Sequence, residues 1–266
     1  MDFSTLFISD LHLRLESEAL NEVFYQFLEV HAPKAKRLVI NGDFVNSWWG
    51  RPTVETPFAK ELAQRLSALK GKCEVHFVNG NRDFLLSDDA EFLNMKGHGD
   101  GLVFDGEGTR IAVTHGDQFC LSDRGHQLFR WATRVVPLHP LSRLVPAGKA
   151  EELAAWFRER SRQKGKQNEE RPYAFYDLTD EAMERYIAKN SAEVLIVGHI
   201  HKPQERHLLV DGRMRRVLVL SDWNESGAII AGTLESGQTE LLQLDNGEIR
   251  LWPHTIRANA RVSKEG

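Results

Sequence analysis

Seven side chains able to hold a metal ion stand at the ends of five short apolar runs: Asp10 and His12, Asp43, Asn81, His115, then His199 and His201. Together they offer imidazole nitrogens, carboxylate oxygens and one carboxamide. A mixed set of this kind suits Mn²⁺, Fe, Co²⁺ or Zn²⁺, whereas Ca²⁺ prefers all-oxygen shells and structural zinc prefers thiolates. Seven donors exceed the needs of one tetrahedral ion. Two ions about 3.5–4 Å apart, sharing a carboxylate, would use them all. In Asp10-Leu11-His12 and in His199-Ile200-His201 the chemical residues are two apart, so on extended backbone both would point to the same side. Glycines at 42, 80, 116 and 198 let the chain turn tightly beside them. One Asp or His at a strand end is ordinarily a turn former or a satisfied polar group; it is the recurrence at five ends that points to a single centre.

The runs that must carry these residues are Thr5–Ser9, Arg37–Ile40, Glu74–Val78, Arg110–Thr114 and Val194–Val197, each stopped by a polar, glycine-containing stretch. They read as buried strands. Between the first two, Leu20, Val23, Phe24, Phe27 and Leu28 recur at helical spacing. Thr56-Pro57 reads as a cap and first-turn proline of a second helix, closed by Gly71. Strand, helix, strand is an α/β pattern, with ligands expected in the loops beyond the strand ends. After His201, the runs Arg216–Leu220, Ala228–Ala231, Thr239–Leu244 and Ile249–Trp252 suggest a second, largely antiparallel sheet.

From 122 to 190 the pattern becomes helical, with breaks at Pro137, Pro140 and Pro146, and reads as an inserted lid. The expected division is a catalytic core of 1–121 and 191–257, a lid of 122–190, and a polar, frayed tail of 258–266. Between Arg124 and Lys166 there are ten Lys or Arg against three Glu, interleaved with Leu128, Phe129, Trp131 and Val135. The insertion is therefore basic and partly apolar.

The whole chain of 266 residues is 41% hydrophobic and 27% charged, the composition of a globular protein with a sizeable core. The net charge of -4 gives no general reason to expect nucleic acid. Cys73 and Cys120 are too few for a disulfide framework and fit a reducing compartment, the cytosol by default. The opening Met-Asp-Phe-Ser lacks the basic start of a secretory signal, and no apolar run is long enough to span a membrane.

The order Asp10-x-His12, Gly42-Asp43, Gly80-Asn81, His115-Gly116 and Gly198-His199-x-His201 is similar to the calcineurin-like metallophosphoesterase signature. That resemblance implies a sandwich of two mixed β-sheets flanked by helices, with two metals at one edge. It implies that Asp10, His12, Asp43 and His201 hold one ion and Asp43, Asn81, His115 and His199 the other, with Asp43 as the bridge. Manganese is the metal it leads one to expect.

Many members of that superfamily have His after the motif's Asn, as the acid for the leaving group; here the residue is Arg82. Arginine cannot give up a proton near pH 7, yet its planar fork suits phosphate oxygens. The strings Gly80-Asn81-Arg82-Asp83-Phe84-Leu85-Leu86, Ile8-Ser9-Asp10-Leu11-His12-Leu13, His115-Gly116-Asp117-x-x-Cys120 and Asp123-x-x-His126-Gln127 resemble the UDP-2,3-diacylglucosamine diphosphatase family of lipid A biosynthesis. That family commonly has Tyr where this chain has His126.

The resemblance implies hydrolysis of the pyrophosphate to UMP and 2,3-diacylglucosamine 1-phosphate, with Asp43 and Arg82 catalytic. Asn81, Arg82, Asp123 and His199 would bind substrate. Ser161 and Lys164 in the lid would join them, with Lys166 and Asn168 nearby, although Gly165 stands where the family pattern suggests Asn. The partners implied are the nucleotide-sugar lipid itself and an anionic inner-membrane surface met by the lid, making the protein cytoplasmic and peripheral to that membrane; no nucleic acid or protein partner is expected. Two rivals stay open. One is a metallophosphoesterase for a soluble nucleotide or phosphorylated metabolite; the other is a non-catalytic scaffold of the same fold, which would be expected to lack ligands.

Overall fold

The computed structural model describes residues 3–135, 140, 177–253 and 257–258. Strands β1 (Phe3–Ile8), β2 (Arg37–Asn41) and β3 (Glu74–Val78) run parallel, with Leu6 beside Leu38 and Ile40 beside Phe77. Helix α1 (Glu18–Val30) and helices α2 (Arg51–Val54) and α3 (Pro57–Ser67) make the crossovers. α3 starts as its sequence predicts: Thr56 Oγ1 accepts from the Ala59 N–H at 3.2 Å, and Pro57 fills the first turn. It ends at Ser67, four residues before Gly71, because the chain leaves it through successive reverse turns.

Each strand uses its two faces differently. Leu6, Ile8, Leu38, Ile40 and Phe77 pack outward on Phe24, Phe27, Leu62 and Leu66 of α1 and α3. The intervening Phe7, Val39 and Val78 face inward. There they meet Ile111, Val113, Ile196 and Leu218 of a second sheet, all fully buried. Burial on both faces is why these strands read as unbroken apolar runs rather than as alternating ones.

The second sheet contains β5 (Leu102–Gly106), β6 (Thr109–Val113), β7 (Val194–Val197), β8 (Gln204–Val210) and β9 (Arg213–Val219). The strands after His201 do not make a sheet of their own, contrary to the expectation. β8 and β9 extend the β6–β7 sheet, with β9 parallel to β7. β10 (Gly227–Leu234), β11 (Thr239–Asp245) and β12 (Glu248–Leu251) continue the first sheet, β10 lying antiparallel to β1. Two short edge strands, β4 (Lys96–Gly97) and β13 (Arg257–Ala258), complete sheets of order β12-β11-β10-β1-β2-β3-β4 and β13-β8-β9-β7-β6-β5. The fold is thus α/β, two mixed sheets face to face with flanking helices.

Helix α4 (Leu86–Asp89) follows the loop after β3, and α5 (Arg124–Val135) opens the segment expected as a lid. Residues 180–190, counted with that segment by sequence, form α6 (Asp180–Asn190), whose Met183 and Ile187 pack on Leu195, Val197, Val217 and Val219. This stretch therefore covers the outer face of the second sheet and serves the core. Ser161, Lys164, Lys166 and Asn168 lie outside the described residues.

Thr56→Ala removes the cap of α3 and should lower the unfolding free energy by about 1 kcal/mol in denaturant titration. The metal content should not change.

Candidate metal centre

The parallel pairs β1–β2–β3 and β6–β7 end at one edge of the sandwich, and the loops that follow bring all seven expected ligands together. The loop after β1 is stitched to that after β2: the N–H groups of Asp10, His12 and Leu13 donate to the carbonyls of Gly42, Asp43 and Phe44 at 3.1, 2.9 and 3.0 Å. The two residues of each x-separated pair do not sit on extended backbone, as their spacing suggests. Asp10, His12, Asp43, His199 and His201 all have left-handed φ, between 49° and 68°. Such backbone is uncommon outside glycine and costs on the order of 1–3 kcal/mol per residue, so the surrounding bonds must impose it.

The donor atoms fall into two groups. In the first, Asp10 Oδ1 lies 3.1 Å from His201 Nε2 and 4.0 Å from His12 Nε2, and the two imidazole nitrogens are 3.3 Å apart. In the second, His115 Nε2 is 3.7 Å from Asp43 Oδ1 and 3.2 Å from Asn81 Oδ1, which is itself 3.0 Å from His199 Nδ1. Asp43 faces both, since its Oδ2 is 3.8 Å from His12 Nδ1. Asp10 also reaches the second group, its Oδ1 lying 3.9 Å from His115 Nε2, whereas the expected ligand sets keep it in the first. His12 Nδ1 is buried with no hydrogen-bond partner, and two sets of three carboxylate and imidazole ligand atoms lie within 4.8 Å of one another. Mixed nitrogen and oxygen donors gathered so closely fit two ions.

Burial and charge act against each other here. Burial raises the Asp10 and Asp43 carboxyls, but the facing imidazoles, His115 foremost, outweigh it and hold both below the usual carboxylate range. Burial drives His12 down to about 4, and His199 to about 4 with help from His115. For His115 burial also lowers the pKa, but Asp43, Asp10 and Asp117 overcome it and carry the ring up to about 9. These carboxylates thus favour a proton on His115, whereas a metal ligand must be neutral.

Two glycines are required by space. A Cβ on Gly198 would lie 2.0 Å from Ser9 Oγ and 2.2 Å from Asp10 Oδ2, and one on Gly80 would lie 2.2 Å from the Asp43 nitrogen. Asp83, not among the expected site residues, holds this crossing together. Its Oδ1 accepts from the N–H groups of Gly80 and Asp43 at 2.9 and 3.1 Å, and its Oδ2 from Phe44 and Val45 at 2.7 and 3.3 Å. The only sequence signal for it is its place directly after Asn81-Arg82.

Arg82 reaches over the same carboxylate. Its N–H donates to Asp43 Oδ1 at 2.9 Å, its Nε lies 3.4 Å from Asp43 Oδ2, and an Nη donates to Asn46 Oδ1 at 2.7 Å. Nothing in the sequence pattern singled out Asn46. Asp123 caps α5, its Oδ1 accepting from the His126 N–H at 3.0 Å. The His126 ring then packs 5.4 Å from that of His199, with Nε2 3.5 Å from buried Asp117. Arg130 pairs with Asp117 at 3.1 Å and with Asp100 at 2.8 Å, and Arg134 with Asp100 at 2.6 Å. These ion pairs fix the start of the expected lid against the metal edge.

A model of the calcineurin-like phosphoesterase family matches residues 3–203 of the chain. Among curated proteins, a UDP-2,3-diacylglucosamine hydrolase from Coxiella burnetii is 33% identical over 85% of this chain and 92% of its own length. One of that name from Aeromonas hydrophila is 32% identical, over 85% and 93%. Among solved structures, a dimetal phosphatase from Danio rerio aligns over 94% of this chain and 98% of its own, at 14% identity and a TM-score of 0.45.

Because a cation must displace the proton on His115, divalent-ion binding should release protons below about pH 9. The apparent affinity for Mn²⁺ should rise by up to about tenfold per pH unit from 7 towards 9. Calorimetry in buffers of different ionisation enthalpy measures both; affinity independent of pH would contradict the assignment of His115.

Proposed function

The chain belongs to the calcineurin-like phosphoesterase family, and from that premise we propose that it hydrolyses the pyrophosphate bond of UDP-2,3-diacylglucosamine, releasing UMP and 2,3-diacylglucosamine 1-phosphate. The observation that carries this reading is Arg82 at the mouth of the metal cluster, on Asp43 and Asn46, in a chain that matches relatives of that name over most of its length. In this reading Asp10, His12, Asp43 and His201 hold one divalent ion, and Asp43, Asn81, His115 and His199 the other. Manganese is the metal we favour. Ions held there would supply Lewis-acid chemistry, lowering the pKa of a water and offsetting charge on the phosphoryl oxygens.

The rest of the chemistry belongs to the chain. A water oxygen bonds to the α-phosphorus, the bond from that phosphorus to the bridging oxygen breaks, and the lipid leaves as a phosphate monoester. Such a leaving group is stable as an anion, so no acid need protonate it. A residue that supplies charge rather than a proton serves the site, and Arg82 does so for the phosphoryl oxygens as negative charge moves between them. Asn46 and Asp43 aim its guanidinium. Asn81, His199 and Asp123, at the start of α5, are assigned to substrate binding through family resemblance. Ser161 and Lys164 enter this reading through family resemblance.

Leu128, Trp131 and Val135 recur on α5 and are 66, 61 and 59% exposed. Among the described residues no helix is long and apolar enough to cross a membrane. We assign this stripe to the acyl chains and to the surface of an anionic membrane. Each basic residue near such a surface adds on the order of 1 kcal/mol, and the lid segment is rich in them.

The purified protein with Mn²⁺ and UDP-2,3-diacylglucosamine should release UMP, followed by chromatography. Turnover of a soluble phosphodiester without UMP release from the lipid would sink the proposal. Arg82→Ala should lower kcat by about 10²–10³-fold. The double variant Leu128→Glu, Trp131→Glu should lose sedimentation with phosphatidylglycerol vesicles and raise the KM for lipid; unchanged sedimentation would remove the membrane surface from the reading.

A further inference from the structure

His201 presents two nitrogens to two different surroundings. Nε2 points into the first donor group, 3.1 Å from Asp10 Oδ1 and 3.3 Å from His12 Nε2. Nδ1 points out of it, towards the carboxylate of Asp222, whose Oδ2 is 3.6 Å away. The second face of a metal-binding imidazole decides which nitrogen carries the proton, because a carboxylate there can only accept and so leaves the other nitrogen with its lone pair for the metal.

Asp222 is held more firmly than a residue on a strand connection needs to be. Directly before it, Ser221 donates its N–H to the Ile229 carbonyl at 3.0 Å and its Oγ accepts from the Ile229 N–H at 2.7 Å. Directly after it, Trp223 donates its N–H to the carbonyl of Asp10 at 3.2 Å and is buried edge-on against Phe24 and Phe27. The backbone that carries Asp222 is therefore tied to the backbone of a ligand from the opposite end of the chain, and its carboxylate is aimed at the outer nitrogen of another.

We propose that Asp222 is a positioning residue of the metal centre, whose half-exposed carboxylate, at ion-pair distance from His201, favours the proton on Nδ1 and so orients Nε2 towards the ion of the first group. The inference rests on the two-ion reading of the site and goes beyond the ligand set. Asp222 touches neither the substrate nor the ions. It acts through His201 alone, so its loss affects one ion and spares the other.

The test is the number and affinity of bound Mn²⁺ ions, followed by the electron paramagnetic resonance of free Mn²⁺, in the full chain and in Asp222→Ala and Asp222→Asn. The alanine variant should bind one ion as the parent does and the other about 10–100-fold more weakly. The asparagine variant keeps an acceptor oxygen and should fall between the two. Equal affinities in parent and alanine variant overturn the proposal. So does a joint weakening of both ions with a lowered Tm in the isosteric asparagine variant, since that marks a merely structural role. A parent protein that binds fewer than two ions overturns the two-ion reading instead, which keeps the two failures apart.

Discussion

Much of the molecule is organised by one buried residue, Asn41, at the end of β2. Its side-chain nitrogen donates across the sandwich to the Thr114 carbonyl at 3.0 Å, tying the two sheets together at the edge where the ligands gather. Its own carbonyl accepts from Ser9 Oγ at 2.8 Å and faces His115 Nδ1 at 3.0 Å. A carbonyl has no proton to give, so His115 must carry its proton on Nδ1 and direct Nε2 at Asp43 and Asn81. The same residue thus sets the spacing of the sheets and the tautomer of the most buried imidazole. An apolar side chain there would keep the packing volume and the backbone carbonyl that faces His115, but lose the tie between the sheets.

Around that tie, the ligand loops are held in backbone that they would not choose. Asp10, His12, Asp43, His199 and His201 share left-handed φ values, and the strain is met by a dense set of local bonds. Asp83 collects four N–H groups from the loops after β2 and β3, while Ser9 Oγ and the His199 N–H both serve Asp10 Oδ2, at 2.5 and 2.9 Å. Left-handed backbone brings two polar side chains from three consecutive residues into one cluster, while Leu11 between the first pair stays fully buried. Strain here does a geometric task that extended backbone could not.

What could be read in the sequence follows from this division of labour. The seven ligands were legible because each ends an apolar run and is flanked by a small or polar residue, a pattern visible within five or six positions. The two-sheet sandwich came from family resemblance rather than periodicity. Short runs such as Arg216–Leu220 and Thr239–Leu244 look alike in sequence, yet the first joins the sheet of β7 and the second the sheet of β1. Partner choice depends on which inner face each run covers, and that is a long-range property. Asp83, Asn46 and Asp222 were not singled out for a comparable reason: an Asp that binds backbone N–H groups, or the far side of a ligand, has no spacing of its own. Residues 180–190 read as part of the insertion because their amphipathic pattern tells that they form a helix without telling what its apolar face meets.

The donor set also accounts for the kind of substrate the centre can take. Two divalent ions bring four positive charges. Asp10 and Asp43 return only two, since the remaining ligands are neutral imidazoles and an amide, and Arg82 adds one more positive charge at 3.4 Å from Asp43. Asp83 contributes little to the cleft because its oxygens are spent on backbone N–H groups. A centre so composed would be left about three charges positive before the outer carboxylate of Asp222 is counted, and an uncompensated excess is costly where it is buried. A diphosphate diester carries two negative charges and gains a third as hydrolysis divides it into two monoesters. In the proposed reaction such a site would stabilise the products' charge as it forms, without a proton donor in place of Arg82.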